Sequence, residues 1–218
     1  FEAGLSPEIV HTEAGITVMR FITGRTFAEA DLRANVDRLV PLLKDCHSGV
    51  GQCLRGPANA FWVFQVIRDY VRLIGADRRY LDWADRLERA QVPLPIVFGH
   101  HDLLPGNVID DGARLWLIDW EYGAFGTAMF DLANIAAANS FTREMEGEML
   151  RAYFGKAPDL ALSRAYYAMK VAAALREAMW GMISELFLAA PGVDYVAYAA
   201  EYVGRFEAIH AAYTKDFP

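Results

Sequence analysis

Cysteine is scarce in this chain of 218 residues, which contains only Cys46 and Cys53. Two cysteines can build neither the disulfide framework of a small secreted domain nor a four-cysteine zinc site. We therefore expect both thiols to be reduced and the protein to be cytoplasmic.

Long apolar runs and an excess of basic charge are also missing. The stretch VAAALREAMWGMISELFLAA is interrupted by Arg176, Glu177 and Glu185, so no membrane-spanning segment is expected. A net charge of −7 argues against a broad nucleic-acid surface and favours cationic or metal-bound partners. With 54% hydrophobic and 22% charged residues, the composition is that of a globular enzyme.

Hydrophobic periodicity predicts two strands at the start of the chain and helices over most of the remainder. The stretches SPEIV and GITVMRFITG are rich in β-branched residues and end at Gly24, which favours short strands. From Thr26, a candidate N-cap, the apolar spacing predicts a helix that is kinked at Pro41. The stretch HSGVGQCLRGPA is expected to be a loop. Further helices are predicted over 59–75, 79–90, 159–188 and 194–213.

The segment GHHDLLPGNVI places polar side chains between the apolar stretches PLPIVF and WLID. Polar groups buried between strands must be paired or must hold a ligand. The stretches NVI and LWLID predict a hairpin around DDGA. Asp102 and Asn107 stand five positions apart in this segment, and Asp119 ends the second strand of the hairpin.

Phosphoryl transfer from a nucleotide needs side chains of these types. One carboxylate orients the attacking hydroxyl, while an amide oxygen and a second carboxylate hold magnesium at the phosphates. The pattern H-x-D-x-x-x-x-N, with a further aspartate a dozen residues on, meets these requirements. The alternative is that Asp102 and Asn107 only cap turns.

The stretch HHDLLPGNVI followed by LIDWEYGAFGTAMFDLANI resembles the catalytic and metal-binding loops of the choline/ethanolamine kinase family. That family belongs to the kinase-fold small-molecule phosphotransferases, which also include the aminoglycoside kinases. The resemblance runs from about Ala3 to Phe206. It implies an α+β, protein-kinase-like fold in which 1–24 is a remnant of the N-terminal β lobe with the hinge. Residues 25–218 would form a mostly helical C-terminal lobe with a small β insert.

The resemblance also implies roles for the residues of the central loop. Asp102 would be the catalytic aspartate, and Asn107 with Asp119 would hold magnesium. His100 would brace the loop structurally. Asp131 would bond backbone groups near the loop, although its position is equally suited to capping the following helix.

ATP is the implied co-substrate, and the backbone of Arg20, Phe21 and Ile22 would meet its adenine. A kinase of this fold also needs a phosphate-covering loop and a strand lysine. Neither is found before the hinge, and the chain opens at Phe1, so we expect an N-terminal lobe to be missing and the chain alone to be catalytically incomplete.

The acceptor pocket is implied to include Trp180 and Tyr198, because aromatic faces attract ammonium groups. Both rings could instead be ordinary core residues. Glu121 would point away from Asp119, towards the substrate or the surface. Ile183 stands where family members carry a second tryptophan, which leaves the identity of the acceptor open.

These inferences lead to one expected function and two alternatives. We expect an ATP- and magnesium-dependent kinase that phosphorylates the hydroxyl of a small cationic amino alcohol such as choline or ethanolamine. The alternatives are an aminoglycoside-type kinase and a non-catalytic kinase-like scaffold.

Overall fold

The structure is a computed structural model that describes residues 1–188 and 192–218. Its described strands are short and occur in the first two thirds of the chain. They are β1 (Ile9–Glu13), β2 (Ile16–Met19), β3 (Arg25–Thr26), β4 (Ile96–Gly99), β5 (Val108–Asp110), β6 (Leu115–Leu117) and β7 (Ala124–Thr127).

Helices account for most of the described residues, which confirms the α+β class with small sheets. They are α1 (Glu29–Ala34), α2 (Val36–Asp45), α3 (Gly51–Cys53), α4 (Val63–Ile74), α5 (Arg79–Arg89), α6 (Ala128–Ala138), α7 (Arg143–Phe154), α8 (Leu160–Phe187) and α9 (Tyr195–Asp216). A π-helical turn over Cys46–Val50 joins α2 to α3, and a 3₁₀ turn over Pro105–Asn107 precedes β5.

The chain divides into two compact units, each built from two segments. The first unit comprises Phe1–Ala60 with Leu94–Ala157, and the second comprises Phe61–Pro93 with Pro158–Pro218. All the described strands belong to the first unit. The division between 1–24 and 25–218 concerns the lobes of a kinase rather than this packing, and it stays a prediction.

The sheets of the first unit are antiparallel pairs and one antiparallel triplet. Strand β1 pairs with β2, β4 pairs with β7, and β5 lies between β3 and β6. The predicted hairpin is confirmed, because Val108 lies opposite Leu117 and Asp110 opposite Leu115. Strand β7 was not predicted from the sequence. It pairs with β4, and Phe98 lies opposite Phe125.

The start of the first helix differs from the prediction. Thr26 lies in β3 opposite Ile109 and is not an N-cap; α1 begins at Glu29, after Ala28. The backbone at Gly24 approaches β5 so closely that a Cβ atom there would lie 2.6 Å from the carbonyl oxygen of Asp110. Pairing with β5 therefore takes the residues around Thr26 into a strand.

The predicted helix is divided into α1 and α2, the kink at Pro41 stays a prediction, and the predicted loop after it is partly helical. The break falls at Asn35, whereas Pro41 lies inside α2. The stretch HSGVGQC continues as the π-helical turn and α3, because Cys46 and His47 are buried rather than exposed as loop residues would be.

The second unit consists of α4, α5, α8 and α9. The predicted helices are confirmed to within a few residues. Asp159 and Asp194 cap α8 and α9, each accepting a hydrogen bond from a backbone N–H three residues on, at 2.8 and 2.9 Å. Within the described ranges, no helix is both long and apolar enough to cross a membrane.

Glycines at two positions in the first unit should respond oppositely to alanine. Gly24→Ala places a Cβ against backbone and should lower the free energy of unfolding by about 1–3 kcal/mol. Gly147→Ala, inside α7 with nothing within 4 Å, should raise it by about 0.5–1 kcal/mol. Urea titrations of both variants measure this, and an unchanged Gly24→Ala midpoint would contradict the close approach.

Candidate active site

Asp102 lies in the loop between β4 and the 3₁₀ turn, and its position is fixed by Asn107. The amide nitrogen of Asn107 donates to the backbone oxygen of Asp102 at 2.9 Å and to its Oδ2 at 3.0 Å. Only 8% of Asp102 is exposed. The two residues that the sequence places five positions apart are therefore in direct contact.

His100 ties this loop to the residue that precedes Asp119. Its Nδ1 accepts from the backbone N–H of Asp102 at 3.3 Å, and its Nε2 lies 2.8 Å from the carbonyl oxygen of Ile118. The first bond makes Nδ1 an acceptor, so Nε2 carries the proton and donates to Ile118. Burial lowers the pKa of His100, which favours this neutral ring.

Asp131 holds the backbone of the same loop from the first turn of α6. Its carboxylate accepts from the backbone N–H of His100 at 2.9 Å and of His101 at 2.7 Å. The N-cap of α6 is Thr127, so Asp131 is directed to the loop and not to the end of its own helix. No part of Asp131 is exposed.

His47 contacts the same carboxylate, and sequence reasoning missed it. Its Nε2 lies 2.9 Å from Oδ2 of Asp131, and its Nδ1 lies 2.7 Å from the hydroxyl of Tyr153. Burial opposes ionisation of Asp131, but the hydrogen bond with His47 holds the pKa of this carboxyl below its usual range. Burial raises the pKa of Tyr153 to about 12. A signal that could have found His47 is the need of a buried aspartate for hydrogen-bond donors.

The backbone of the loop is in an uncommon conformation. His101 has φ 61°, and its ring is buried against Phe130 with centroids 5.7 Å apart. Gly99 must be a glycine, because a Cβ there would lie 2.7 Å from Nε2 of His101 and 2.8 Å from Oδ2 of Asp131. Strained backbone of this kind is frequent at functional sites.

The pairing of β5 and β6 brings the segment that precedes Asp119 to Asn107. The backbone N–H of Ile118 donates to the carbonyl oxygen of Asn107 at 3.1 Å, and Asp119 follows with φ 63°. β6 ends at Leu117, so Asp119 stands two residues beyond the strand and is exposed.

These oxygens fit a magnesium ion by their chemistry. The Asn107 nitrogen is bonded to Asp102, so the amide presents its oxygen as a ligand, and Asp119 adds a carboxylate. Magnesium takes few protein ligands and completes its shell with phosphate and water. Within the described ranges, no group of three or more His, Cys, Asp or Glu residues forms an all-protein metal site.

The residues predicted to meet adenine follow β2. The backbone N–H of Arg20 donates to the carbonyl oxygen of Glu8 at 2.8 Å, and the two side chains form an ion pair at 2.7 Å. Phe21 is 86% exposed, and Ile22 is half-buried. Their contact with a nucleotide stays a prediction.

A cavity of about 580 Å³ in the first unit extends from Met19, next to Arg20, to Asp119. Phe98 and Trp120 contribute aromatic walls, with ring centroids 6.5 Å apart. Sequence reasoning missed both rings as lining residues, although Trp120 directly follows Asp119. The predicted substrate residue Glu121 is exposed and is not among the lining residues.

Trp180 and Tyr198 lie together in the second unit, on α8 and α9. Their rings meet edge to face with centroids 5.5 Å apart, and both are half-buried. The hydroxyl of Tyr198 donates to Glu177 at 2.6 Å, and Glu177 also accepts from Arg176 at 2.7 Å. Burial, and next the charge of Glu177, raise the pKa of Tyr198.

A buried, braced aspartate beside an asparagine and a second aspartate, on a small β insert in a helical body, defines a phosphotransferase of the protein-kinase-like class. Comparison with known families agrees. The chain belongs to the phosphotransferase enzyme family, whose model matches residues 3–169.

Known relatives place this fold beside kinases of small molecules. A choline/ethanolamine kinase family protein from Mesorhizobium loti superposes with a TM-score of 0.80 and 27% identity, over 95% of this chain and 75% of that one. A thermostable mutant of aminoglycoside phosphotransferase APH(4)-Ia gives 0.68 and 21%, over 96% and 78%. Protein LicA of Haemophilus influenzae is 23% identical over 168 residues.

The chain covers only part of these relatives. The match to LicA takes in 70% of this chain and 48% of that protein, so the chain spans about half the length of this curated relative. The resemblance to choline/ethanolamine kinases and their aminoglycoside-kinase neighbours is nevertheless confirmed, and with it the kinase-like fold.

Replacement of Asp131 should weaken the fold strongly. In Asp131→Asn only one side-chain oxygen is left to accept from His47 and from the backbone N–H groups of His100 and His101. This change should lower the free energy of unfolding at pH 7 by about 3 kcal/mol. The folded-state pKa lies below the unfolded value of about 4, so the stabilisation is present above pH 4 and is lost as the pH falls further.

Urea titrations between pH 7 and pH 3 measure this difference. The difference in the free energy of unfolding between wild type and Asp131→Asn should become smaller below pH 4. The exposed Asp45 at the end of α2 provides a control, because Asp45→Asn should change stability by less than about 0.5 kcal/mol. A constant gap across the pH range would show that ionisation of Asp131 is not what stabilises the loop.

Proposed function

We propose that this protein is an ATP- and magnesium-dependent kinase that phosphorylates the hydroxyl of a small amino alcohol such as choline or ethanolamine. Membership of the phosphotransferase family and the likeness to the Mesorhizobium loti protein support the class of reaction. The observation that carries the proposal is the contact of Asp102 with Asn107 in a loop braced by Asp131.

Asp102 would act on the acceptor. Its Oδ2 is fixed by Asn107, so the carboxylate has a defined orientation in which to accept a hydrogen bond from the substrate hydroxyl. The hydroxyl oxygen then forms a bond to the γ-phosphorus of ATP while the bond to the β,γ-bridging oxygen breaks. ADP leaves, and the hydroxyl proton passes to Asp102 or on to solvent.

Asn107 and Asp119 would hold the metal. When bound, magnesium supplies charge neutralisation at the phosphate oxygens. The hydrogen bond from Ile118 to Asn107 keeps the metal-binding oxygens of Asn107 and Asp119 at neighbouring strand ends. His100 spans the same two segments and would keep the acceptor-facing and metal-facing residues in register.

The amino-alcohol class is supported by the aromatic pair Trp180 and Tyr198. Ring faces attract cations once water is excluded, and the hydroxyl of Tyr198 donates to the buried Glu177. Glu121, as an exposed carboxylate two residues after Asp119, remains a candidate for the substrate side. Ile183, in place of a further aromatic residue, keeps choline and ethanolamine both open.

An aminoglycoside-type kinase is the second candidate, supported by the likeness to APH(4)-Ia. Aminoglycosides are bulky polycations, and their pockets call for many exposed carboxylates. The residues around Trp180 are aromatic and alanine-rich, which favours the smaller acceptor. A scaffold without catalysis would gain nothing from a strained, buried aspartate loop, so we rank it last.

Asp102→Asn should remove catalysis while leaving nucleotide binding. Because the amide keeps the shape but cannot accept a proton, kcat should fall by about 10²–10⁴-fold. Coupled ADP-release assays on the purified full-length protein measure kcat, and ATP titrations measure Kd. Asp45→Asn is the control and should retain full activity; full activity in Asp102→Asn would remove Asp102 from the mechanism.

Asp119→Ala should act on the metal and not on the acceptor. Removing one of two protein oxygens should abolish the magnesium dependence of ATP binding, measured by calorimetry with and without magnesium. If the magnesium dependence survives in this variant, Asp119 is not a metal ligand.

A panel of candidate substrates identifies the molecule that accepts the phosphoryl group. Choline, ethanolamine and several aminoglycosides are offered to the full-length protein with ATP and magnesium, and ADP release is followed. Turnover of choline or ethanolamine is expected. Turnover of aminoglycosides alone would establish the second candidate, and an absence of turnover and of ATP binding would favour the scaffold.

A further inference from the structure

A cavity of about 450 Å³ in the second unit is lined by three arginines. Arg86 and Arg89 come from α5, and Arg164 comes from the start of α8. Residues three apart on a helix share a face, which places Arg86 and Arg89 on one wall. None of the described residues that line this cavity contributes a side-chain carboxylate.

These three guanidinium groups make no hydrogen bond or ion pair within residues 1–188 and 192–218. Elsewhere in the chain, arginines commonly engage carboxylates, as Arg38 does with both oxygens of Asp110 at 2.6 and 2.8 Å. All three arginines are exposed, and they lie around one cavity in a chain whose net charge is −7.

The acidic residues of α5 do not neutralise this wall. Asp85 pairs with Arg68 at 2.7 Å, and Glu88 binds Arg68 and the indole N–H of Trp62. Arg89 exerts only a minor Coulombic effect on Asp85. Two of the three carboxylates of α5 are thus engaged by Arg68, and Asp82, four residues before Arg86, forms no ion pair with a described residue.

Like charges gathered around one cavity repel each other, and the low-dielectric walls concentrate their field. Burial, and next the charge of Arg86, lower the pKa of His210, which also lines the cavity. The positive potential is therefore felt by a neighbouring side chain. A bound anion would relieve this repulsion.

The remaining lining side chains describe the rest of the ligand. Trp83 and His210 have ring centroids 4.7 Å apart, and Tyr213 and Phe217 have centroids 5.4 Å apart. Aromatic walls suit a flat or apolar group, and a volume of this size is typical of small-molecule sites.

We propose that this cavity binds a small phosphate monoester through Arg86, Arg89 and Arg164, with its organic part against the aromatic rings. Guanidinium groups recognise phosphate oxygens by paired hydrogen bonds. A phosphate monoester carries up to two charges on three oxygens, which matches three arginines better than a carboxylate with one charge does. This site is separate from the residues assigned to phosphoryl transfer.

Calorimetry of the full-length protein tests the proposal with three probes at constant ionic strength. Phenyl phosphate should bind, inorganic phosphate should bind more weakly because it lacks the ring, and benzoate should bind weakest because it has one charge. The affinity for phenyl phosphate should fall about tenfold in each of the single variants Arg86→Gln, Arg89→Gln and Arg164→Gln.

Two arginines serve as matched controls. Arg78 and Arg151 are exposed and likewise make no ion pair with the described residues, but they do not line the cavity. Arg78→Gln and Arg151→Gln should leave the affinity for phenyl phosphate unchanged. Equal losses in controls and cavity variants would mean a general charge effect and would overturn the proposal.

The variant Asp119→Ala distinguishes binding of phenyl phosphate in the cavity from binding at the proposed active site. Phenyl phosphate affinity that survives in Asp119→Ala and falls in the cavity variants supports a second site. Affinity that responds to Asp119→Ala alone, or arginine-dependent binding only of an oligonucleotide or of anionic vesicles, would overturn the proposal. Both results are independent of whether the protein phosphorylates an amino alcohol.

Discussion

The carboxylate of Asp131 is the interaction on which the candidate site depends. It is fully buried, and it receives two backbone N–H groups of the loop together with the ring of His47. A buried charge is tolerated only when such donors surround it. These bonds hold consecutive peptide groups before Asp102, so the direction in which the chain enters the reacting segment is set by α6 and the π-helical turn rather than by the loop itself.

This arrangement explains why the surroundings of the loop are so restrictive. The chain turns through a left-handed conformation at His101, which costs free energy for a residue with a side chain. Gly99 precedes it because no Cβ fits between His101 and Asp131. The strain is sustained by hydrogen bonds from both sides, with His100 extending the network to Ile118. Asp102 and Asp119 are thus positioned by one connected set of polar contacts.

Sequence patterns predicted the parts of this site that are local. The hairpin of β5 and β6 follows from apolar stretches around a turn, and the contact of Asp102 with Asn107 follows from their short separation in the loop before β5. The pairing of β4 with β7 and the approach of His47 to Asp131, 84 positions away, depend on packing between distant segments. No local periodicity carries that information, and Thr26 was misassigned for the same reason, because β5 captures it as a strand.

The metal-binding part of the proposal rests on how few protein ligands magnesium requires. An ion held only by proteins would need a cluster of carboxylates, whereas an ion bridging nucleotide phosphates needs one or two oxygens from the chain. Asn107 and Asp119 would supply two, one buried and oriented by Asp102, the other exposed at a left-handed turn. Metal and nucleotide should therefore bind together, since each completes the other's coordination. In this proposal the exposed position of Asp119 suits its role, because its carboxylate would have to reach an ion that arrives with the phosphates.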